Sequence, residues 1–414
     1  MKFTPASHIQ VGLNFGRGRD TETVGRLAIR EGDIYFEYDS RFLAMGLNLS
    51  PIHLPLKVGV QIFNRDSFEG LPGLFDDSLP DGWGRMLFDR TLRAQGILPK
   101  QVTPLDRLAL TGKSGMGALT YEPDHSGQVG NDEIDLDWLA TQSAEVLEGA
   151  SELVLAELLT LNGSSAGARP KALIGFDLER ARVMHGAADM PDVFEPWLVK
   201  FSNTQDGSDA GAIEYVYAEM ARRAGLEISM THLFAANKSA GYFGTKRFDR
   251  VDREHLHMHT ACGLLHSDYR TPALDYEDLI ELTSLLTRDV RETHKMFRIA
   301  VFNVLAHNRD DHSKNFSFLM NEVGEWRLSP AYDLTFSSGP GGDQSTMVMG
   351  EGKAPGLQQL RALGKAADMN TDSINHIIEQ TQAALNEWPV LAKDHGVKKA
   401  NIDLIGKRIS RTSV

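Results

Sequence analysis

The stretch that decides the fold of this chain reads HNRDDHSKN, from His307 to Asn315. The acid Asp310 and the amide Asn315 stand five positions apart, which is the spacing with which phosphoryl-transfer enzymes position an acceptor hydroxyl and a metal ion. A helical pattern over residues 289–305 runs directly into the stretch, so we expect a loop held at the end of a buried helix. The sequence therefore predicts a catalytic loop in which Asp310 orients an acceptor hydroxyl and takes its proton.

Two short predicted strands, residues 316–320 and 326–328, follow this loop and form a hairpin. At about 3.3 Å per residue they run out and back, which returns Asp333 to the neighbourhood of Asn315. A carboxylate and an amide oxygen can share a magnesium ion that takes its other ligands from water and nucleotide phosphates. We therefore predict that Asn315 and Asp333 bind Mg2+, and that Lys314 assists catalysis by offsetting charge on the transferred group.

Upstream of this loop, residues 150–250 alternate between strand and helix patterns. Residues 197–201 read as a strand in which Lys200 has apolar neighbours, which predicts a buried lysine that contacts nucleotide phosphates and a helix carboxylate. The candidate carboxylate is Glu214, which we expect in the first turn of a helix over residues 209–224. The helix macrodipole alone would also favour an acid in a first turn, so both explanations of Glu214 stay open.

A loop of small residues, 163–170, lies between an apolar segment that ends at Leu161 and a strand that starts at Lys171. We expect two strands here, joined as a flap whose backbone amides approach phosphate closely. The loop matches neither the Walker A pattern nor G-x-G-x-x-G. Ser164 and Ser165 would lie near a γ-phosphate, so either could cover the nucleotide or accept phosphate, and the added negative charge would then eject the loop.

The amino-terminal part of the chain is predicted to be β-rich, and the carboxy-terminal part helical. Residues 24–29 and 34–38 flank a turn and predict a hairpin, and a helical spacing follows over residues 83–94. These patterns predict an α+β fold with three parts, which are residues 1–140, a nucleotide-binding lobe at 150–250 and a helical catalytic lobe at 251–414.

Composition limits the classes of function. The chain has 414 residues, of which 24% are charged, and its net charge of -13 argues against direct, long-range attraction to nucleic acid or anionic lipid. The single cysteine, Cys262, excludes an internal disulfide and fits a reducing compartment. Neither a signal peptide nor a long apolar run is visible, so we expect a cytosolic protein with no membrane partner.

Other features of the catalytic stretch have simpler interpretations. His307 and His312 could ligate zinc with an aspartate, but neither a third histidine nor an H-E-x-x-H pattern supports such a site. We interpret Asp311 and His312 as scaffold. Two interpretations of the glycine-rich segment at residues 337–352 stay open, a mobile loop that faces the substrate and a disordered segment.

Taken together, several ordered motifs resemble the HipA family, the serine/threonine kinase toxins of bacterial toxin-antitoxin pairs. The resemblance covers nearly the whole chain, and its motifs are Phe68 to Gly73, Ser78 to Arg85, Gly167 to Lys171, Trp197 to Phe201, Arg247 to Arg250, Asp310 to Asn315 and Tyr332 to Leu334. Compared with ordinary protein kinases, Tyr332 to Leu334 replaces D-F-G, and no A-P-E segment is visible.

The resemblance implies a bilobal protein-kinase-like fold that uses ATP and Mg2+. It implies Asp310 as catalytic base, Asn315 and Asp333 on the metal, and ATP contacts that involve Lys200, the phosphate-loop residues Ser164, Ser165, Ala166 and Gly167, and the hinge residues Arg247 and Phe248. It also implies autophosphorylation at Ser164 or Ser165.

The resemblance further implies partners. The usual partner in this family is a helix-turn-helix antitoxin (HipB-like) that binds operator DNA, and the best-known targets are aminoacyl-tRNA synthetases, whose phosphorylation leads to growth arrest and drug tolerance. Two alternatives remain, a small-molecule kinase and a non-enzymatic corepressor held in a DNA-bound complex with the antitoxin.

Overall fold

The structure is a computed structural model. It describes residues 3–16, 18–63, 65, 67–127, 133–149, 155–162, 167–179, 181–186, 190–203, 206–271 and 273–412. No helix within these ranges is long and apolar enough to cross a membrane.

The amino-terminal domain contains a five-stranded antiparallel sheet in the order β4-β3-β2-β1-β5. Its strands are β1 (His8–Leu13), β2 (Glu22–Arg30), β3 (Asp33–Tyr38), β4 (Gln61–Ile62) and β5 (Leu119–Glu122). Glu31 and Gly32 connect β2 to β3, and both have positive φ angles, 55° and 82°, as a two-residue hairpin turn requires. The predicted hairpin is confirmed.

The α-helices that precede the second sheet in the chain are α1 (Ser40–Met45), α2 (Gly73–Asp76), α3 (Gly82–Ala94), α4 (Pro104–Thr111), α5 (Leu136–Leu147) and α6 (Leu155–Asn162). The helix expected over residues 83–94 is confirmed as α3, but the strand expected before the small-residue loop is wrong, because α6 occupies that position. Leu155, Leu158 and Leu159 are spaced by three and four residues, so a helix buries them together.

The second sheet has the order β7-β6-β8-β10-β9, with every neighbouring pair antiparallel. Its strands are β6 (Lys171–Asp177), β7 (Arg182–His185), β8 (Glu195–Lys200), β9 (Thr231–Phe234) and β10 (Tyr242–Lys246). Helix α7 (Ala210–Arg223) lies between β8 and β9 in the chain and contacts β9 and β10. One buried apolar cluster joins this sheet to α3, α5 and α6, so helices from the amino-terminal half cover the second sheet.

The carboxy-terminal part is mainly helical. Strands β11 (Arg250–Val251) and β12 (Glu254–His255) form a two-stranded sheet. A three-stranded sheet contains β13 (His257–Thr260), β14 (Ser317–Met320) and β15 (Trp326–Leu328). Its helices are α8 (Ala261–Leu265), α9 (Tyr276–Thr287), α10 (Val290–Leu305), α11 (Leu357–Ala366), α12 (Thr371–Leu385), α13 (Trp388–Asp394) and α14 (Lys399–Thr412). Helix α10 is buried along most of its length and ends two residues before the catalytic stretch, as predicted. The α+β fold class is therefore confirmed.

Candidate active site

The centre of the site is Lys200, the last residue of β8. Its ammonium group donates to the Glu214 carboxylate of α7 at 2.5 Å and to the Asp333 carboxylate at 2.6 Å. Glu214 is buried, with 2% of its side chain exposed. The predicted pairing of Lys200 with Glu214 is confirmed, but Glu214 is the fifth residue of α7 rather than part of its first turn. Pairing with Lys200, not the macrodipole, therefore explains the acid at this position.

The hairpin brings Asp333 to this centre. β14 and β15 pair antiparallel, and the Tyr332 hydroxyl donates to the Lys314 carbonyl at 2.6 Å, which ties the residue before Asp333 to the catalytic loop. Asp333 has a φ of 57°, in the left-handed region. Burial by itself would raise the pKa of Asp333, but the ammonium groups of Lys200 and Lys171 outweigh it and hold that pKa below its usual range. The Asp333 carboxylate is therefore ionised and able to bind a cation.

In the catalytic loop, Asn315 is oriented by its neighbour. The Asn315 side-chain nitrogen donates to the backbone carbonyl of Asp310 at 2.7 Å, so the other side-chain atom, an oxygen, remains to accept or to bind a metal. The Asp310 residue is exposed. Partial desolvation raises the pKa of Asp310, His312 lowers it, Asp333 raises it and Arg169 lowers it, with a net rise. A carboxylate with a raised pKa is a better proton acceptor, as a general base must be.

Asp311 is a buried structural residue. Its carboxylate accepts hydrogen bonds from the Tyr276 hydroxyl at 2.7 Å, the Gln344 amide at 2.8 Å and the backbone nitrogens of Ser345 and Thr346 at 3.0 and 3.2 Å. These contacts attach the middle of the glycine-rich segment to the catalytic loop. The scaffold interpretation of Asp311 is thus confirmed, and residues 344–346 are buried rather than free to face a substrate.

Two cations near the phosphate loop were not assigned a role from the sequence. Arg169 pairs with Asp206 at 3.1 Å and with Glu214 at 3.4 Å. The Lys171 ammonium lies under Gly167, since a β-carbon there would stand 2.2 Å from it, and Gly167 has a φ of 115°. Burial and the charge on Lys200 lower the pKa of Lys171 to about 8. Both residues belong to the stretch from Gly167 to Lys171, which resembles a phosphate loop. That resemblance is the feature of the sequence from which a role for them could have been predicted.

The amino-terminal domain holds one end of this loop. The Asp81 carboxylate accepts a hydrogen bond from the Gly167 backbone nitrogen, and the Trp83 nitrogen donates to the Gly167 carbonyl at 3.1 Å. Ser164, Ser165 and Ala166 lie outside the described residues. Gly167 is therefore the predicted loop residue that the structure places at the site.

Lys314 faces the same domain. Its buried ammonium is 3.3 Å from the Asp81 carboxylate and 3.8 Å from that of Asp76, and lies over the Tyr269 ring. Burial by itself lowers the pKa of Lys314, but these carboxylates outweigh it and raise that pKa. The role of Lys314 in catalysis stays a prediction. Its positive charge is paired with the Asp81 carboxylate.

The two hinge residues lie in different surroundings. Arg247 directs its guanidinium to Asp249 at 2.7 Å and to the Gly115 carbonyl at 3.1 Å, inside a buried cluster. Phe248 packs its ring 5.4 Å from that of Tyr332, beside the candidate metal ligand Asp333. Only Phe248 presents its side chain next to the other site residues, and the predicted cofactor contacts of both residues stay predictions.

The donor set fits magnesium. Asn315 and Asp333 offer an amide and a carboxylate oxygen, and Mg2+ commonly takes one or two protein ligands and completes its shell with water and phosphate. Within the described ranges, no group of three or more His, Cys, Asp and Glu residues could hold a metal ion alone. His307 and His312 therefore belong to no such group, which a closed zinc site would need. The His307 ring stacks on Phe336, with ring centres 5.4 Å apart.

Comparisons with known proteins give two matches to family models. Residues 163–388 match the model described as HipA-like C-terminal domain, and residues 19–122 match the HipA N-terminal domain. Among curated proteins, the chain is 26% identical over 358 residues to "Putative kinase Y4mE" of Sinorhizobium fredii (strain NBRC 101917 / NGR234), with 81% of this chain and 80% of the relative covered.

A solved structure shows the same fold. The chain aligns with one in the "Shewanella oneidensis MR-1 Toxin Antitoxin System HipA, HipB and its operator DNA complex", with a TM-score of 0.68, 16% identity and coverage of 98% of this chain and 96% of that chain. The Helicobacter pylori proinflammatory kinase CtkA is more distant, with a TM-score of 0.32, 13% identity and coverage of 53% of this chain and 86% of that chain. The fold predicted from the sequence, with a β-rich amino-terminal region and a mainly helical carboxy-terminal part, is confirmed.

Proposed function

This chain belongs to the HipA family, and we propose that it is an ATP-dependent serine/threonine protein kinase that acts as the toxin of a toxin-antitoxin pair. One observation carries this proposal. Lys200 bridges the buried Glu214 and the candidate metal ligand Asp333, in the arrangement that a kinase uses to hold nucleotide phosphates.

We assign the chemistry to the residues of the site as follows. Bound magnesium ATP supplies the phosphoryl group and a counter-charge for it. Asn315 and Asp333 offer the oxygen ligands for the metal, and Lys200 and Lys171 place positive charge against the phosphates. Asp310 accepts the proton of the attacking hydroxyl, for which its raised pKa suits it.

We also propose that the chain phosphorylates itself at Ser164 or Ser165. Both serines shortly precede Gly167 in the sequence, and Gly167 lies directly above the Lys171 ammonium. A phosphate adds about two negative charges where the nucleotide phosphates belong, so it would repel nucleotide and inactivate the kinase.

The partner is proposed by analogy with the HipA of the solved complex, which is bound to HipB and operator DNA. We propose a helix-turn-helix antitoxin that neutralises this chain and provides most of the DNA contact, since a net charge of -13 disfavours direct binding to DNA. The proposed target is a translation factor such as an aminoacyl-tRNA synthetase, reached in the cytoplasm.

The test compares the purified protein with Asp310→Ala, and with Asp20→Ala as a control that removes an exposed aspartate elsewhere. Each is incubated with magnesium and ATP, and phosphate is mapped by mass spectrometry. We expect phosphate on Ser164 or Ser165 in the wild type and the control, and at least a 100-fold loss in Asp310→Ala, on the order of what a general base contributes. ATP binding with no transfer to the chain or to lysate proteins would instead favour the corepressor.

A further inference from the structure

A cationic groove of about 870 Å³ opens beside the catalytic loop. Its cations come from parts of the chain that are distant in sequence: Arg309 from the loop, Arg361 and Lys365 from α11, and Arg408 from α14. The site described above uses none of them. Because the fold collects them at one place, the groove is a feature of the tertiary structure.

The charge of the groove is opposite to that of the chain. The chain has 56 acidic and 43 Lys and Arg residues, yet none of the described residues that line the groove is acidic. Two of its arginines donate to neutral groups: Arg361 donates to the Asn375 side chain at 3.2 Å, and Arg309 donates to the Gly342 carbonyl. The acid with the strongest effect on Arg309, Asp343, lies outside the lining. The groove is therefore suited to a negatively charged ligand.

The start of helix α11 adds to this field. Gly356 is its N-cap and offers no side chain to its first turn, which contains no acidic residue. Pro355, Gly356 and Leu357 line the groove, so the positive end of the helix dipole lies at the same place as the four cations.

The position of the groove indicates what it binds. Arg309 directly precedes Asp310, so a ligand in the groove lies beside the loop that carries the candidate general base. None of the described lining residues is Phe, Tyr or Trp, whereas sites for single-stranded nucleic acid stack bases on such rings. Pro355, Leu357 and Ala362 instead provide an apolar floor that suits the aliphatic parts of a peptide.

We propose that this groove binds an acidic segment of the protein substrate, next to the serine or threonine that is phosphorylated. The proposal rests on the kinase function and adds to it a preference for Asp and Glu near the acceptor. Carboxylates of the segment pair with Arg361 and Lys365 on α11, while Arg309 and Arg408 lie closer to the catalytic loop and the carboxy-terminal helix.

The test measures binding without requiring catalysis. A short fluorescent peptide rich in Glu, with Ala at the acceptor position, is titrated by anisotropy with the wild type, with Arg361→Gln/Lys365→Gln, and with the control Lys57→Gln/Lys100→Gln, which removes two exposed cations elsewhere. We expect roughly fivefold weaker binding in the groove variant, since two exposed ion pairs are lost, and no change in the control. Equal affinity for all three proteins would overturn the proposal.

Two further measurements separate the possible outcomes. An oligouridylate that binds the groove more tightly than the acidic peptide, and loses affinity in the same variant, would replace the proposed ligand by nucleic acid. With a Ser-containing version of the peptide, kcat/KM is expected to fall about fivefold in the groove variant while autophosphorylation is unchanged. Groove-dependent binding with no phosphate transfer in any assay would support the acidic-segment site and overturn the kinase proposal instead.

Discussion

At the scale of single residues, we predict that Lys171 makes nucleotide binding depend on pH. Burial and Lys200 lower the pKa of the Lys171 ammonium to about 8, so this cation is present below pH 8 and lost as the pH rises through that value. We expect the affinity for ATP, measured with a fluorescent analogue, to fall as the pH rises past 8. Lys171→Met should bind more weakly at neutral pH and lose this pH dependence. An unchanged dependence in the variant would assign it to another group.

A second residue-scale prediction concerns Asp310 and His312. As the proposed general base, Asp310 accepts a proton only when it is ionised. We therefore expect the kcat/KM of the kinase to fall as the pH drops through the raised pKa of Asp310. His312 opposes that rise, so His312→Gln should move the acidic limb of the kcat/KM profile to higher pH. The control is His376→Gln, which changes an exposed histidine on α12. A limb that moves to lower pH would contradict the assigned direction.

At the scale of elements, one buried carboxylate joins the end of the second sheet to the amino-terminal domain. Asp249 is fully buried and pairs with Arg247 and Arg250, and it accepts from the Gly117 backbone nitrogen at 2.7 Å. Burial by itself would raise its pKa, but the two guanidinium groups outweigh it and hold the pKa of Asp249 below its usual range.

Removal of the Asp249 carboxylate leaves the buried guanidinium groups of Arg247 and Arg250 without their anionic partner. We expect Asp249→Ala to lower the free energy of unfolding by about 3–5 kcal/mol, measured by urea denaturation, with Asp20→Ala unchanged. Because the folded-state pKa is depressed, this stabilisation is present above the unfolded pKa of about 3.9 and is lost as the pH falls below it. A loss under 1 kcal/mol would mean that the cluster contributes little, as exposed pairs do.

At the scale of the whole molecule, the amino-terminal domain positions the phosphate loop of the other lobe. Asp81 accepts from the Gly167 nitrogen and balances Lys314, so one carboxylate links the domain, the phosphate loop and the catalytic loop. We expect Asp81→Ala to increase deuterium uptake at residues 167–171 and to weaken ATP binding several-fold, since the loop loses an anchor. Glu37→Ala, an exposed change on β3, is the control. Unaltered uptake would show that the Trp83 contact alone holds the loop.

The sequence by itself determined the parts of this protein that are encoded in local patterns. The stretch from His307 to Asn315, the hairpin that returns Asp333, the strand with Lys200 and the helix α10 all follow from residue spacing, because turns, strands and helices form from neighbouring residues. The segment before residues 163–170 is a helix rather than the predicted strand, because its leucines are spaced by three and four residues.

Only the tertiary structure decided which charges meet. It paired Lys200 with Asp333, placed Lys171 under Gly167, directed Lys314 to Asp81 and collected the cations of the groove. Such pairs join residues far apart in the chain, and their strength depends on burial, which no local pattern specifies. The candidate catalytic residues are therefore visible in the sequence, whereas the contacts that position them and tune their pKa values follow from how the domains pack.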